Sequence, residues 1–301
     1  MTNFHMAPVG RARVAGDMRV LLIVAVFLAP VRAASEKLPW DVLIFSQQWP
    51  ITSCISHKQH DPGASCNLFP NMTTWTVHGI WPTKLGTRGP NFCNSSWHFQ
   101  EKEIIDIEDY LIKYWGNIYA EDPRTSLWNH EWLKHGTCAA LLPQLDSERK
   151  YFGKGLEWVM QYDILAVLTK SNILPSDVMT YDVKSIFQAV NNAFGVDPAI
   201  DCIYDKKTRE HILSQIKLCF NPALKLVDCD GIVGLHTQIL GNCPIEGITY
   251  ANTVRNAGKT YKYPKELAVA HTRAWEAAKS RCSSWVCRAL VYIYILTWIT
   301  L

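Results

Sequence analysis

Asp41-Val-Leu-Ile-Phe-Ser-Gln-Gln-Trp-Pro50 sets apolar and β-branched residues in a nearly unbroken run and closes it with a proline. The density reads as a buried strand, and Pro50, with no N–H for a ladder, stops it. Downstream, Trp75-Thr-Val-His-Gly-Ile-Trp-Pro82 is a second short strand running into a turn, with His78 at its end. Further strands are expected at 199–204, 211–220 and 245–251. Helical spacing governs 101–115, where apolar residues fall at 104, 105, 107, 111, 112 and 115. It returns over 147–171, with a break expected around Gly153–Gly155, and over 182–194, with Gly195 as C-cap. Residues 54–71 and 84–96 are rich in turn formers and read as loops. Helices and strands interleave without regular βαβ spacing. The expected fold class is therefore α+β, a mostly antiparallel central sheet with packed helices, stabilised by disulfides.

The ends of the chain differ in character from this middle. Arg11, Arg13 and Arg19 precede the apolar run 20–29, and Val31-Arg-Ala33 has small-residue cleavage character, so 1–34 reads as a signal peptide. That segment holds four arginines and one aspartate of the chain's 30 basic and 27 acidic residues, so the remainder is balanced. A balanced chain is not a polybasic, non-specific nucleic-acid binder, and any polyanion must be met by a local site. Ten cysteines, all after residue 34, argue for disulfides in an oxidising compartment. Asn71-Met-Thr and Asn94-Ser-Ser are glycosylation sequons. Residues 35–263 form the expected catalytic domain, and 264–301 a helical extension ending in an apolar tail. The thirteen-residue tail from Ala289 is short of the ~20 needed to span a bilayer. Added packing element, membrane association and anchor-addition signal all stay open for it.

The chemistry concentrates in Ser126-Leu-Trp-Asn-His-Glu-Trp-Leu-Lys-His-Gly-Thr-Cys138. On a helix, Glu131 and His135 are i,i+4 partners, as are His130 and Lys134, so the four share one titratable face. Gly136 is expected to end that helix, and Cys138 to pin it elsewhere. Two histidines, a carboxyl and an ammonium at this density suit proton transfer around an anion. The same pattern also reads as a solvated face over two core tryptophans. His78 is the second informative residue, with Gly79 after it to let backbone approach a ligand.

Thr76-Val-His-Gly-Ile-Trp-Pro82 and His130-Glu-Trp-Leu-Lys-His-Gly-Thr-Cys138 together resemble the two active-site segments of the ribonuclease T2 family, and Phe45–Pro50 with Cys54 resembles its first core strand. The likeness covers about 38–263. It implies an endoribonuclease acting on single-stranded RNA without metal or cofactor, in which His135 is the base, His78 the acid, and Glu131 and Lys134 stabilise the transition state while His130 holds phosphate. The products implied are 2′,3′-cyclic phosphates, then 3′-phosphates. DNA, lacking the 2′-hydroxyl, is expected to be inert. Trp81 is placed to stack on a base, and Gln47 or Gln48 to contact a second. Several family members have an aspartate that reads adenine where this chain has Thr83, which leaves base preference open. The resemblance also implies disulfides Cys54–Cys66, Cys93–Cys138, Cys202–Cys243 and Cys219–Cys229, and a secreted or endolysosomal monomer. Cys282 and Cys287 have no counterpart and can pair with each other.

Two other classes compete. His130-Glu131 begins like a zinc-hydrolase motif, but the next histidine falls at i+5, about 140° around a regular helix. A secreted binding or signalling protein on the same fold is the other, although no catalytic histidine is missing. A serine hydrolase lacks the Gly-x-Ser-x-Gly signature.

Overall fold

β1 (Val42–Gln48) is buried along its whole length because it is covered on both faces. The computed structural model describes residues 37–68, 74–232 and 241–254. The two termini, Asn71, Cys282 and Cys287 lie outside these residues, and with them the signal, sequon and tail expectations attached to those positions. Leu43 and Phe45 enter the main core, while Val42 and Ile44 join a smaller cluster with Ala199, Cys219 and Cys229 on the other face. The period of two along a pleated strand sorts them this way.

The sheet runs β2 (Thr76–Thr83), β1, β5 (Glu210–Phe220), β7 (Ile248–Thr249), β3 (Thr180–Tyr181), with β4 (Ala199–Asp205) and β6 (Leu226–Val227) also paired to β5. Among the described strands every pairing is antiparallel except β5 with β7, which gives the mostly antiparallel α+β architecture expected. The four expected bridges close at Cys54–Cys66, Cys93–Cys138, Cys202–Cys243 and Cys219–Cys229.

The structure corrects four local readings. Residues 54–60 are not loop: α1 (Pro50–His60) starts at a proline in its first turn, buries Ile51, Cys54 and Ile55, and ends on His57, Lys58 and His60. The turn formers take hold only from Asp61. Next, α5 (Glu148–Gln161) runs straight through Gly153 and Gly155. Gly155 is there for packing, since a Cβ would sit 2.2 Å from the Trp115 ring. The break comes later, where the Asp163 side chain accepts from Ala166 N–H and caps α6 (Ile164–Lys170). Finally, the expected strand over 245–251 shrinks to β7. The helix over 101–115 is a 3₁₀ stretch (Glu101–Ile107) followed by α2 (Glu108–Tyr114). By contrast α7 (Val183–Phe194) ends as expected on Gly195, at φ 73°.

Candidate active site

Two elements meet at the site. The first is β2, which carries His78, Gly79 and Trp81. Its register against β1 slips between Ser46 and Gln47: Ser46 faces Gly79 and Gln47 faces Val77, so His78 is the extra residue of a bulge. A bulge re-aims the side chain it carries. Trp115 Nε1 donates to the His78 carbonyl at 3.0 Å, and Trp128 Nε1 in turn to the Trp115 carbonyl at 2.7 Å. Tyr151 of α5 fixes the other side, donating to Ile80 O at 2.9 Å and accepting from Ile80 N at 3.4 Å.

The second element is α3 (Ser126–Glu131), which widens into a π turn (Trp132–Gly136) before α4 (Thr137–Ala139). Gly136 therefore does not end the helix. It allows Trp132 to fold back, since a Cβ would lie 2.3 Å from that ring. A π turn displaces backbone carbonyls from the usual ladder, and here they find other donors: Phe92 N–H to Lys134 O at 2.9 Å, and the Thr137 hydroxyl to Leu133 O at 2.9 Å. Cys93–Cys138 ties the loop carrying Phe92 to this helix. The angular argument against His130 and His135 sharing a metal assumed regular helix and does not hold across a π turn.

Between the two elements lies the Trp81 indole. His78 packs edge-on at 5.1 Å between ring centroids, His135 at 5.6 Å, and the indole N–H donates to Glu131 Oε2 at 2.8 Å. His78 Nε2 is 3.9 Å from Glu131 Oε1, beyond hydrogen-bond length. The gap above Gly79 is filled by side chains rather than left for a ligand: a Cβ there would be 2.0 Å from Glu131 Oε2 and 2.2 Å from Trp81 Nε1. Glu131 and His135 are buried, His78 and Lys134 partly so, and His130 is exposed.

Burial dominates the electrostatics. It pushes His78 down to about 4, helped by Lys217, His130 and Lys134 and opposed by the nearby Gln215 amide. It pushes His135 down to about 3, with Lys134, His130 and His78 adding to the effect, and it lowers His130 as well, with Lys134 contributing. It drives Glu131 up to about 8 against the Trp81 N–H and Lys134. At neutral pH the site therefore holds two uncharged imidazoles and a protonated carboxyl that can donate. Nδ1 of both His78 and His135 is buried without a partner among the described residues. Unpaired buried nitrogens are expensive in a finished core; here they suit a ligand bearing hydroxyl and oxyanion groups.

The remaining predicted residues divide. Gln47 faces the main core and donates to Tyr162 O at 2.7 Å. Gln48 lies on the His78 side of the sheet, where its Oε1 accepts from the Ser53 hydroxyl at 2.9 Å. Thr83 is buried and turns its hydroxyl back to Trp81 O at 3.1 Å. Trp115, Tyr151, Gln215 and Lys217 carried no local signal in the sequence, because each acts on the site across a long sequence separation.

A bulged sheet edge and a π-turned helix thus present two imidazoles, a carboxyl and an ammonium around one indole, groups able to accept and donate protons beside an anion. The model of the Ribonuclease T2 family matches residues 40–229. Ribonuclease Oy of Magallana gigas is 39% identical over 193 residues, 64% of this chain and 88% of that protein. Ribonuclease T2 of Danio rerio is 36% identical over 208 residues, 68% of this chain and 80% of its own. The crystal structure of human RNase T2 superposes with a TM-score of 0.57 at 33% identity, covering 70% of this chain and 98% of that one. RNase NT in complex with 5′-AMP gives 0.58 at 28% identity, covering 70% and 98%. The chain belongs to the ribonuclease T2 family and is an RNA endonuclease.

Proposed function

We propose that the enzyme cleaves single-stranded RNA by transesterification, using its own side chains and no metal or cofactor. Neutral His135 takes the proton of the ribose 2′-hydroxyl, whose oxygen attacks the adjacent phosphorus. His78, protonated, gives its proton to the departing 5′-oxygen, leaving a 2′,3′-cyclic phosphate and a 5′-hydroxyl. With the roles reversed, His78 activates water, His135 protonates the 2′-oxygen, and a 3′-phosphate results. Lys134 and the protonated Glu131 stabilise the extra charge on the phosphoryl oxygens, a neutral acid being a better neighbour to an oxyanion than a carboxylate. His130 holds phosphate at the exposed rim. Trp81 has its N–H committed to Glu131, so it positions the carboxyl as well as offering a ring to a base. The observation that carries this reading is the meeting of two imidazoles, drawn from segments some fifty residues apart, on one indole beside a buried carboxyl and an ammonium.

The test uses a single-stranded RNA and the same strand with one 2′-deoxy residue at the cleavage position, both in excess EDTA. Cleavage of the first alone, leaving 2′,3′-cyclic ends, is the expected result. Cleavage of the deoxy strand at that position, or activity restored only by a divalent ion, overturns the mechanism.

The pH dependence follows from the two imidazoles. The productive free enzyme has His135 neutral and His78 protonated. As pH falls through about 4, His78 gains its proton; below about 3, His135 is protonated too and stops acting as a base. The ratio kcat/KM, which reports the free enzyme, should climb from pH 7 toward 4 and drop below 3. A bound phosphodiester favours imidazolium, so both limbs of kcat should lie at higher pH than those of kcat/KM. A kcat/KM flat between pH 4 and 7 would remove His78 as the acid.

Several attributes extend this reading. The four disulfides support passage through an oxidising compartment, with a secreted or endolysosomal monomer as the working form and DNA excluded. Asn94 is exposed, as a glycan acceptor must be. No helix among the described residues is long and apolar enough to cross a membrane; association of the tail with a membrane remains a proposal about 264–301.

A further inference from the structure

The sheet face beside His78 carries a row of residues that the reaction above leaves unused. Gly79 of β2 faces Ser46 of β1, Ser46 faces Lys217 of β5, and Lys217 faces Ala199 of β4. Lys217 is the only long side chain in that row, standing between small neighbours. Its ammonium lies over the Trp81 ring, 5.7 Å from the centroid, and pairs with Asp201 in the next row. Its side chain is 15% exposed, enough to be reached from solvent. Asp201 shares its own row with Gln48 and Gln215, and Ser46 Oγ donates to Gln215 Oε1 at 2.6 Å.

A diagonal cross-strand ion pair can be simple sheet stabilisation. Three features point further. Lys217 is close enough to His78 to disfavour its protonated form, so it stands at the acid's side of the site. An ammonium has three donors and Asp201 need take only one. The carboxylate also fixes the lysine over the indole, so little side-chain freedom remains to be lost when an anion binds. In the proposed reaction the acid's side is where the 5′-oxygen departs, so Lys217 borders the part of the site from which the downstream strand leaves.

Resting on the proposed reaction, we infer that Lys217 binds the phosphate on the 3′ side of the leaving nucleoside, forming an anion subsite one nucleotide beyond the scissile bond. The enzyme would then favour internal bonds in a chain over a terminal dinucleotide, which is the preference of an endonuclease.

The test compares a dinucleoside monophosphate with the same compound carrying a 3′-phosphate on the leaving nucleoside, using the full chain, Lys217→Met and Lys217→Arg. The readout is the ratio of kcat/KM with and without that phosphate, in which any shared effect of Lys217 on His78 cancels. Wild type and K217R should gain about tenfold from the phosphate, the lower end for one hydrogen bond between charged groups, and K217M should gain nothing. In wild type the gain should fade with added salt, because ions screen the attraction between a partly exposed ammonium and the phosphate. This salt dependence serves on its own if K217M does not accumulate as folded protein. A gain retained by K217M, no gain in wild type, or a wild-type gain insensitive to salt overturns the subsite. Failure of wild type to cleave either compound, with His135→Ala indistinguishable from it, would instead count against the reaction itself.

Discussion

His135→Ala should lower kcat for RNA cleavage by roughly 10²–10⁴, the usual contribution of a positioned general base. His135 is buried in the π turn, its Nδ1 has no partner among the described residues, and its ring packs against Trp81. Removing it leaves no Nδ1 partner stranded among the described residues, and the fold should survive with a modest cavity penalty. RNA binding by the variant, measured by fluorescence anisotropy, should stay within a few-fold of wild type because Lys134 and His130 remain. A variant that folds, binds and still cleaves within tenfold of wild type would show that the base lies elsewhere. Loss of binding together with activity would place His135 in substrate recognition instead.

Gly79→Ala is the second large effect, and one that the chemistry of the substitution does not announce. An added methyl would lie 2.0 Å from Glu131 Oε2, 2.9 Å from Glu131 Cδ and 2.2 Å from Trp81 Nε1, and none of these groups is the free end of a loose chain. Either the carboxyl is driven off the indole N–H or β2 shifts, and His78 is the residue immediately before. Overpacking of this kind costs typically ~1–3 kcal/mol of stability. A displacement of ~1 Å at a reacting group can cost about 10²-fold in rate, so kcat should fall by about that factor. A double-mutant cycle separates the routes: if the clash acts through Glu131, G79A should add little to Glu131→Ala. Activity of G79A within threefold of wild type would mean that the Trp81–Glu131 contact does not shape the site.

Much of the site was legible locally. His130, Glu131, Lys134 and His135 fall within six residues, and His78 and Trp81 share one strand, so spacing made them candidates and the family resemblance gave them roles. What spacing misread was the backbone between them. Gly136 looked like a helix end because glycine so often is one, yet its φ of −58° is ordinary helix and the need it serves is room for Trp132. Gly155 misled for the same reason, with Trp115 as the hidden neighbour. The helix at Pro50–His60 was obscured by the turn formers that follow it. For Gly155 the overruling partner, Trp115, is distant in sequence, while for Gly136 it is Trp132, four residues back along the same helix.

The sequence by itself determined the class of fold, and its motifs, through their family resemblance, supplied the cysteine pairing and the residue types of a candidate acid–base site, because periodicity, composition and motif spacing are local properties of a chain. Only the tertiary structure decided how those residues titrate and what holds them. The lowered imidazoles and the raised carboxyl come from burial between β2 and the π-turned helix, and the bulge that aims His78 exists only in the pairing with β1. Trp115, Tyr151 and Lys217 reach the site from α2's end, α5 and β5. Desolvation and long-range hydrogen bonds depend on which surfaces meet, and that is settled only when the chain has packed.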